Sequence, residues 1–333
     1  MRRPEGEREQ IARKRIVSIL TAQTVANLRT LEHKIADAGP NPQRVQPHII
    51  TRAKQAMVKE GRLTVINRAN AQWLHLADTD PLTVNARFET LRPIWESFTA
   101  APVSRRTGQA LEIAIWRALQ TTPTITTFGG FHDVDAHDDA TLFAKQEIQI
   151  LNGKTLGAES LDFIALIGGH FVGIEAKNIR PWLYPHDEEI RAAVRKALTL
   201  DVIPVIVARR IQYASFRVLG TCGVIMHETY NQRLANADAA IAEQAKHKDL
   251  LGYHDIRTGN APDARLTRFF ADQLPGLLDR SRAALDQYRD LLEAYASKDI
   301  PYAEFAARVR RRRNGQNEDN DWPEEGESEP DDY

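Results

Sequence analysis

Cysteine is nearly absent: Cys222 is the only one in 333 residues. It cannot form an internal disulfide, which excludes a disulfide-framed secreted scaffold and points to a cytoplasmic setting. Long apolar runs are missing too, so no membrane span and no membrane partner is expected. The first residues, Met1-Arg2-Arg3-Pro4-Glu5-Gly6-Glu7-Arg8, lack the apolar stretch of a signal peptide. There is no Gly-x-x-x-x-Gly-Lys-[Ser/Thr] motif and hence no ATP-binding motif in the chain, which argues against a motor. No internal repeat is visible. Net charge is also small, −1, but unevenly spread. Nine acids lie beyond Asn317 without a single Lys or Arg, and without them the rest of the chain carries about +8. A basic folded part fits a nucleic-acid partner, and the acidic tail is expected to be disordered.

What the sequence does contain is a hairpin rich in chemistry. Leu161 to Asn178 reads as two short apolar strands joined by Gly168-Gly169, a pair suited to a two-residue turn with positive backbone angles. A turn centred there sets Ile167 opposite His170, Leu166 opposite Phe171 and, further out, Asp162 opposite Glu175. Side chains alternate along a strand, so Lys177 shares a face with Glu175. Two carboxylates about 5 Å apart repel by roughly 3 kcal/mol at an effective dielectric near 20. Lys177 offsets part of that, and a hard divalent cation would offset more.

These residues resemble the PD-(D/E)XK, restriction-endonuclease-like nuclease superfamily. Asp162 and Glu175-Ala176-Lys177 match its motif, although Leu161 stands where the motif often has Pro. Upstream, Gly108 to Leu119 has helical apolar spacing with Glu112 near its start, at the place of the family's helix acid. A Glu there also suits the positive end of a helix dipole. Downstream come an amphipathic helix from Asp187 to Leu198, a buried strand from Val202 to Ala208 and another at Gly223–Met226. Helix, three strands, helix, strand is the order of the family's core, and the resemblance covers about residues 105–228.

The resemblance implies a Mg²⁺ site, with Mn²⁺ able to substitute, held by Asp162 and Glu175 and by the carbonyl of Ala176. It implies catalytic residues Glu112, Asp162, Glu175 and Lys177, with Lys177 orienting or deprotonating water or stabilising negative charge. Glu112 would assist through a bound water or a second cation. Arg191, Arg195, Lys196, Arg209 and Arg210 are basic residues that could meet substrate phosphates or simply face solvent. Glu159 reads as a turn residue. His132 to Asp139 is dense in ligands but lacks the Gly and distal Glu of a calcium loop, and reads as a polar connection between strands at Thr124–Phe131 and Glu147–Leu151. Cys222 reads as a small buried apolar residue.

The first 80 residues carry another pattern. Arg15 to Ile35 reads as helical, with a break in its middle left open, Asp37 to Pro42 is a turn cluster, and Pro47 opens a helix that runs to Lys59 before Gly61. Strands Arg62–Ile66 and Gln72–Leu76 flank a loop at Asn67–Ala71. This resembles a winged helix-turn-helix, which would place residues 47–59 in the major groove and Arg68 on the wing. Candidate DNA contacts are Arg44, Gln46, His48, Thr51, Arg52, Lys54, Gln55, Lys59 and Arg68, with Arg44, Lys54 and Lys59 on phosphates.

The expected fold class is α/β: a restriction-endonuclease-like mixed sheet flanked by helices, preceded by a winged-helix domain and followed by a helical region. The expected layout is a DNA-binding domain at 1–80, a linker at 81–104, the nuclease core at 105–230, a helical region at 231–314 and an acidic tail at 315–333. Ala283 to Tyr295 is its clearest late helix, and the tail could mask the arginine run Arg308–Arg313. The expected function is a metal-dependent DNA endonuclease in restriction, defence or repair, with a homodimer an open expectation. The alternative is a catalytically inactive DNA-binding regulator or accessory subunit, and RNA as substrate stays open.

Overall fold

A computed structural model of the chain describes residues 4–37, 45–132, 134–136 and 139–317. It is a mixed α/β structure that divides into two compact units, one of residues 1–105 with 234–258 and the other of 106–233 with 259–333.

The first unit begins with α1 (Glu5–Gln23), β1 (Ala26–Asn27) and α2 (Leu28–Ala36). Thr24 ends α1 with a left-handed backbone, φ 66°, and Asn27 then caps α2 by accepting from the Thr30 amide at 2.8 Å. α3 (Pro47–Lys59) starts on Pro47, whose fixed φ and missing N–H cost nothing at a first turn. β2 (Leu63–Arg68) and β3 (Ala71–Leu76) follow as a hairpin, and β1 pairs with β3, giving sheet order β1-β3-β2. α4 (Pro81–Thr99) turns Val84, Phe88, Leu91, Trp95 and Phe98 into a core with Trp73, Tyr253 and Ile256.

The second unit begins within α5 (Ala101–Gln120), at Arg106, and the helix leads into a five-stranded sheet. Its strands are β4 (Ile125–Phe128), β5 (Phe163–Ile167), β6 (His170–Lys177), β7 (Ile203–Ala208) and β8 (Ile225–Glu228). The order is β8-β7-β6-β5-β4, antiparallel from β4 to β6 and parallel from β6 to β8. α6 (Glu188–Leu200) connects β6 to β7, and α7 (Tyr213–Thr221) connects β7 to β8. One sheet face, with Phe163, Ala165, Ile167, Val172 and Ile174, packs with Leu111, Ile115 and Leu119 of α5. Ile164, from the opposite face, packs with Ala197 and Leu200 of α6. Gly173 is required for that second layer, because a Cβ there would lie 2.7 Å from both Leu161 and Val202.

Several expectations need correction. The first helix starts at Glu5 rather than Arg15 and is separated from the next by β1. The wing loop is only the pair Ala69-Asn70, both at positive φ, which lets the strands run six-for-six into a tight turn. Residues 81–104, expected as a linker, hold α4 and the start of α5; apolar spacing at 84, 88, 91, 95 and 98 overrides the interior Pro93. Part of the expected C-terminal region, 234–258, belongs to the first unit and includes a strand, Ile256–Thr258. The late helix is two helices, Leu278–Gln287 and Arg289–Ser297, broken at Tyr288. Most of the acidic tail and Arg44 lie outside the described residues, as do Asp133, His137 and Asp138.

Candidate active site

The register of β5 and β6 is the one that Gly168-Gly169 dictates, from Ile167 opposite His170 to Phe163 opposite Ile174. One step further out, Asp162 uses Oδ2 to accept the Ala176 amide at 2.8 Å, which fixes its carboxylate beside Glu175. Glu175 is 3 % exposed. Its Oε2 faces the Lys177 ammonium at 3.0 Å, and its Oε1 pairs with Lys196 from α6. Lys196 also donates to the Ser160 carbonyl at 2.7 Å, so it ties the strand entry to the helix. Glu112 projects from α5 toward the same group of charges.

Lys145 is the residue that sequence reading missed. Its ammonium lies 2.7 Å from Glu112 Oε2, 2.8 Å from Asp162 Oδ1 and 3.4 Å from Glu147 Oε1. It also stands over the ring of Phe163, 5.0 Å from the centroid. The segment that carries it is held to α5 by a reciprocal pair: Gln109 Nε2 donates to the Phe143 carbonyl at 2.9 Å, and the Phe143 amide donates to Gln109 Oε1 at 2.7 Å. Lys145 sits on a two-residue strand, Lys145–Gln146, too short for periodicity to reveal. The signal available was slight: Lys145 follows the apolar run Leu142-Phe143-Ala144 and precedes Gln146-Glu147 in a mixed polar approach to the hairpin.

Charge state follows from this crowding. Burial raises the pKa of Glu112, and the Asp162 charge raises it further. Burial and then Asp162 do the same to Glu175. For Lys145 burial works downward, yet Asp162 and Glu112 outweigh it and push the ammonium well above its ordinary value. Lys177 is raised in the same way, burial being overcome by Glu175 and Asp162. The site is therefore a lattice of three acids and three ammonium groups with Glu175 at its buried centre, while the side chains of Lys177, Glu112 and Asp162 are 26 %, 20 % and 16 % exposed.

Not every expected basic residue faces this site. Arg191 is buried, donating to the Tyr295 carbonyl at 2.5 Å and stacking on that ring. Arg209 and Arg210 are also buried, Arg209 donating to the Arg180 carbonyl and Arg210 lying over Tyr230. Parallel strand ends packed on both faces leave these residues inside. Arg195 pairs with Glu159, which lies in a turn. Asp135 pairs with Arg117 and Asp139 accepts from Asn260 at 3.3 Å, so the described part of the 132–139 segment is tied to its own surroundings. Cys222 is buried, and burial pushes its thiol pKa up.

In the first unit, Gln55 and Lys59 are exposed along α3, and Gln46, His48 and Thr51 are half-buried. Arg52 pairs with Glu5. Lys54 departs from the expectation of a phosphate contact: it is buried, and its ammonium donates to Gln72 Oε1 at 2.9 Å. It lies on the side of α3 that meets β3. Arg68 reaches back to Asn85 at 3.3 Å and over the Phe88 ring.

Among the described residues, the set of three possible metal-ligand atoms lying within 4.8 Å of one another is His33, Asp37 and Asp255, in the first unit. Glu112, Asp162 and Glu175 are instead bridged by lysines. No helix of the described residues is long and apolar enough to cross a membrane. No protein-family model, curated protein or solved structure matches the chain.

Proposed function

We propose that the second unit is a metal-dependent phosphodiesterase of the PD-(D/E)XK type and that the first is its DNA reader. The observation that supports this most is the convergence of Glu112, Asp162, Glu175 and Lys177 where an antiparallel hairpin joins the parallel half of a mixed sheet. A purely structural charge cluster has no need to draw three acids together with one of them, Glu175, buried, since burying an ion costs several kcal/mol before pairing offsets it. The order α1, β1, α2, α3, β2, β3 with β1 on β3 supports a winged helix.

The donor set suits Mg²⁺ or Mn²⁺. Asp162 and Glu175 offer hard carboxylate oxygens, each with a lone pair beyond the one used by its present partner. When bound, such an ion polarises the scissile phosphate and lowers the pKa of water. Lys177 places a positive charge on the open side of Glu175, where it orients the attacking water and stabilises charge developing on the phosphate. Lys145 holds Glu112 and Asp162 in position and already occupies the place of a second cation, which makes a single-ion site the expected arrangement. Lys196 fixes the Glu175 rotamer from behind.

A second reading has its own support. Each oxygen of Asp162 and Glu175 already has a donor within the protein, so the unit could have become a charge-satisfied, non-cutting core in a DNA-binding accessory subunit. Incubation with supercoiled plasmid, branched DNA and RNA in Mg²⁺ or Mn²⁺ separates the two. Nicking that disappears with EDTA and in Lys177→Ala is expected; a gel shift with every substrate intact favours the accessory subunit.

A further inference from the structure

The exits of β6, β7 and β8 lie side by side at one edge of the sheet. Lys177 ends β6 opposite Ala208, and Ala208 lies opposite Glu228. The ladder continues past the strands: the Arg209 amide donates to the Lys177 carbonyl at 3.4 Å, and the Tyr230 amide to the Arg209 carbonyl at 3.1 Å. Tyr230 therefore stands two strand spacings, about 10 Å, from Lys177 along the same edge. Its φ is 61°, and it is the one aromatic residue at positive φ among the described residues. A bulky side chain disfavours that backbone, which persists only where its surroundings hold it. They do so here: Thr229 Oγ1 donates to the Asn231 carbonyl at 2.9 Å, and Asn231 Nδ2 donates to the Thr229 carbonyl at 2.8 Å, closing the chain around Tyr230.

The ring presented in this way is 36 % exposed and carries two guanidinium groups. Arg210, buried, has its Cζ 4.5 Å from the ring centroid. Arg265, exposed on the short helix Ala264–Arg268, has its Cζ 4.1 Å from the same centroid.

We propose that Arg265, held over Tyr230, is a phosphate clamp for the nucleic-acid strand that passes Lys177. The clamp rests on the nuclease reading of Lys177 and extends its substrate contacts away from the reacting centre. A guanidinium over a ring uses its face for that attraction and keeps its N–H donors, which lie in its plane, for acceptors at its rim. Among the described residues the Arg265 guanidinium makes no hydrogen bond or ion pair. The acid two positions before it is engaged elsewhere: Asp263 pairs with Arg233 at 2.9 Å and accepts the Leu266 amide at 2.9 Å. The result is an oriented, exposed fork of the kind that takes a phosphate through two bonds at once. Its position selects the phosphate of a polynucleotide over an isolated anion, because about 10 Å of sheet edge spans roughly three nucleotides of a stacked strand. Arg268, one turn further along the helix, is exposed as well but has no ring beneath it among the described residues, so it serves as the comparison for charge alone.

The test uses the full chain and an end-labelled duplex, with binding followed by fluorescence anisotropy in EDTA and cleavage followed in Mg²⁺. Arg265→Ala should keep the parental Tm, bind about 10-fold more weakly at low salt and lower the slope of log affinity against log salt by about 1. Arg265→Lys should recover only part of the affinity, since it keeps the charge and loses the planar fork. Tyr230→Leu should weaken binding too, yet add little to Arg265→Ala, because both remove one contact. Arg268→Ala should weaken binding far less. In Mg²⁺ the cleavage deficit of Arg265→Ala should shrink as DNA concentration rises. Unchanged affinity in Arg265→Ala, or equal losses in Arg265→Ala and Arg268→Ala, would overturn the clamp even where the parent cuts. Weaker binding by Arg265→Ala beside a parent that cuts nothing would keep the clamp and remove the nuclease reading.

Discussion

Replacing Lys145 with Met keeps the length of the stem and removes the ammonium from between Glu112 and Asp162. Each of those contacts, at 2.7 and 2.8 Å, represents about 6 kcal/mol of gross attraction at an effective dielectric near 20. Desolvation cancels much of that, and removing one partner of a buried pair costs about 3–5 kcal/mol. The side chains involved are 7 %, 20 % and 16 % exposed, which places the expected loss at the lower end, about 3 kcal/mol. Urea unfolding followed by tryptophan fluorescence measures it, since Trp116 stacks on Phe163 beside the site. In a Glu112→Gln background the same substitution should cost less, because one of the stranded charges is gone; a coupling of about 1–3 kcal/mol is expected. Magnesium should recover part of the loss in Lys145→Met and do less for the unaltered chain. A loss below about 0.5 kcal/mol, or coupling that small, would refute the view of Lys145 as an internal cation of the site.

His227 supplies a pH dependence. Its ring is buried against Phe269, and burial followed by the Arg265 charge lowers its pKa from 6.5 to about 4. The unfolded chain then binds more protons between those values, so stability falls by about 3 kcal/mol as pH drops from 6.5 to 4, and His227→Phe should flatten that stretch of the profile in thermal unfolding. Gly173→Ala sets a Cβ 2.7 Å from Leu161 and Val202 and should cost about 2 kcal/mol in the same assay; a neutral result would show that the sheet and α6 are less tightly apposed. Lys54→Ala should lower thermal stability while leaving DNA affinity near that of the parent, whereas Gln55→Ala should do the reverse in gel shifts, because only Gln55 faces outward.

The hairpin could be read in advance because a Gly-Gly turn fixes register, and register alone sets Asp162 beside Glu175 and Lys177. Glu112 was reachable through helical spacing. The helix acid's partner was not: Lys145 approaches from an irregular stretch whose path depends on the Gln109–Phe143 bonds, a tertiary matter. Arg191, Arg209 and Arg210 misled for a related reason. Charge suggests a surface, but aromatic rings and backbone carbonyls can take up a guanidinium inside the protein, as Tyr295 and Arg180 do here. α4 was legible and overlooked, since Pro93 weighs less than five apolar positions at helical spacing.

Single-turnover cleavage of an end-labelled DNA duplex in Mg²⁺ tests the central claim most directly, with the parent chain beside Lys177→Ala and Asp162→Asn. Each variant should keep its DNA affinity and lose at least about 100-fold in cleavage rate, as expected when charge stabilisation at the reacting phosphate is removed. Cleavage at the parental rate in both variants, or none in any protein under conditions where all three bind the duplex, would contradict the assignment of a working active site to this hairpin.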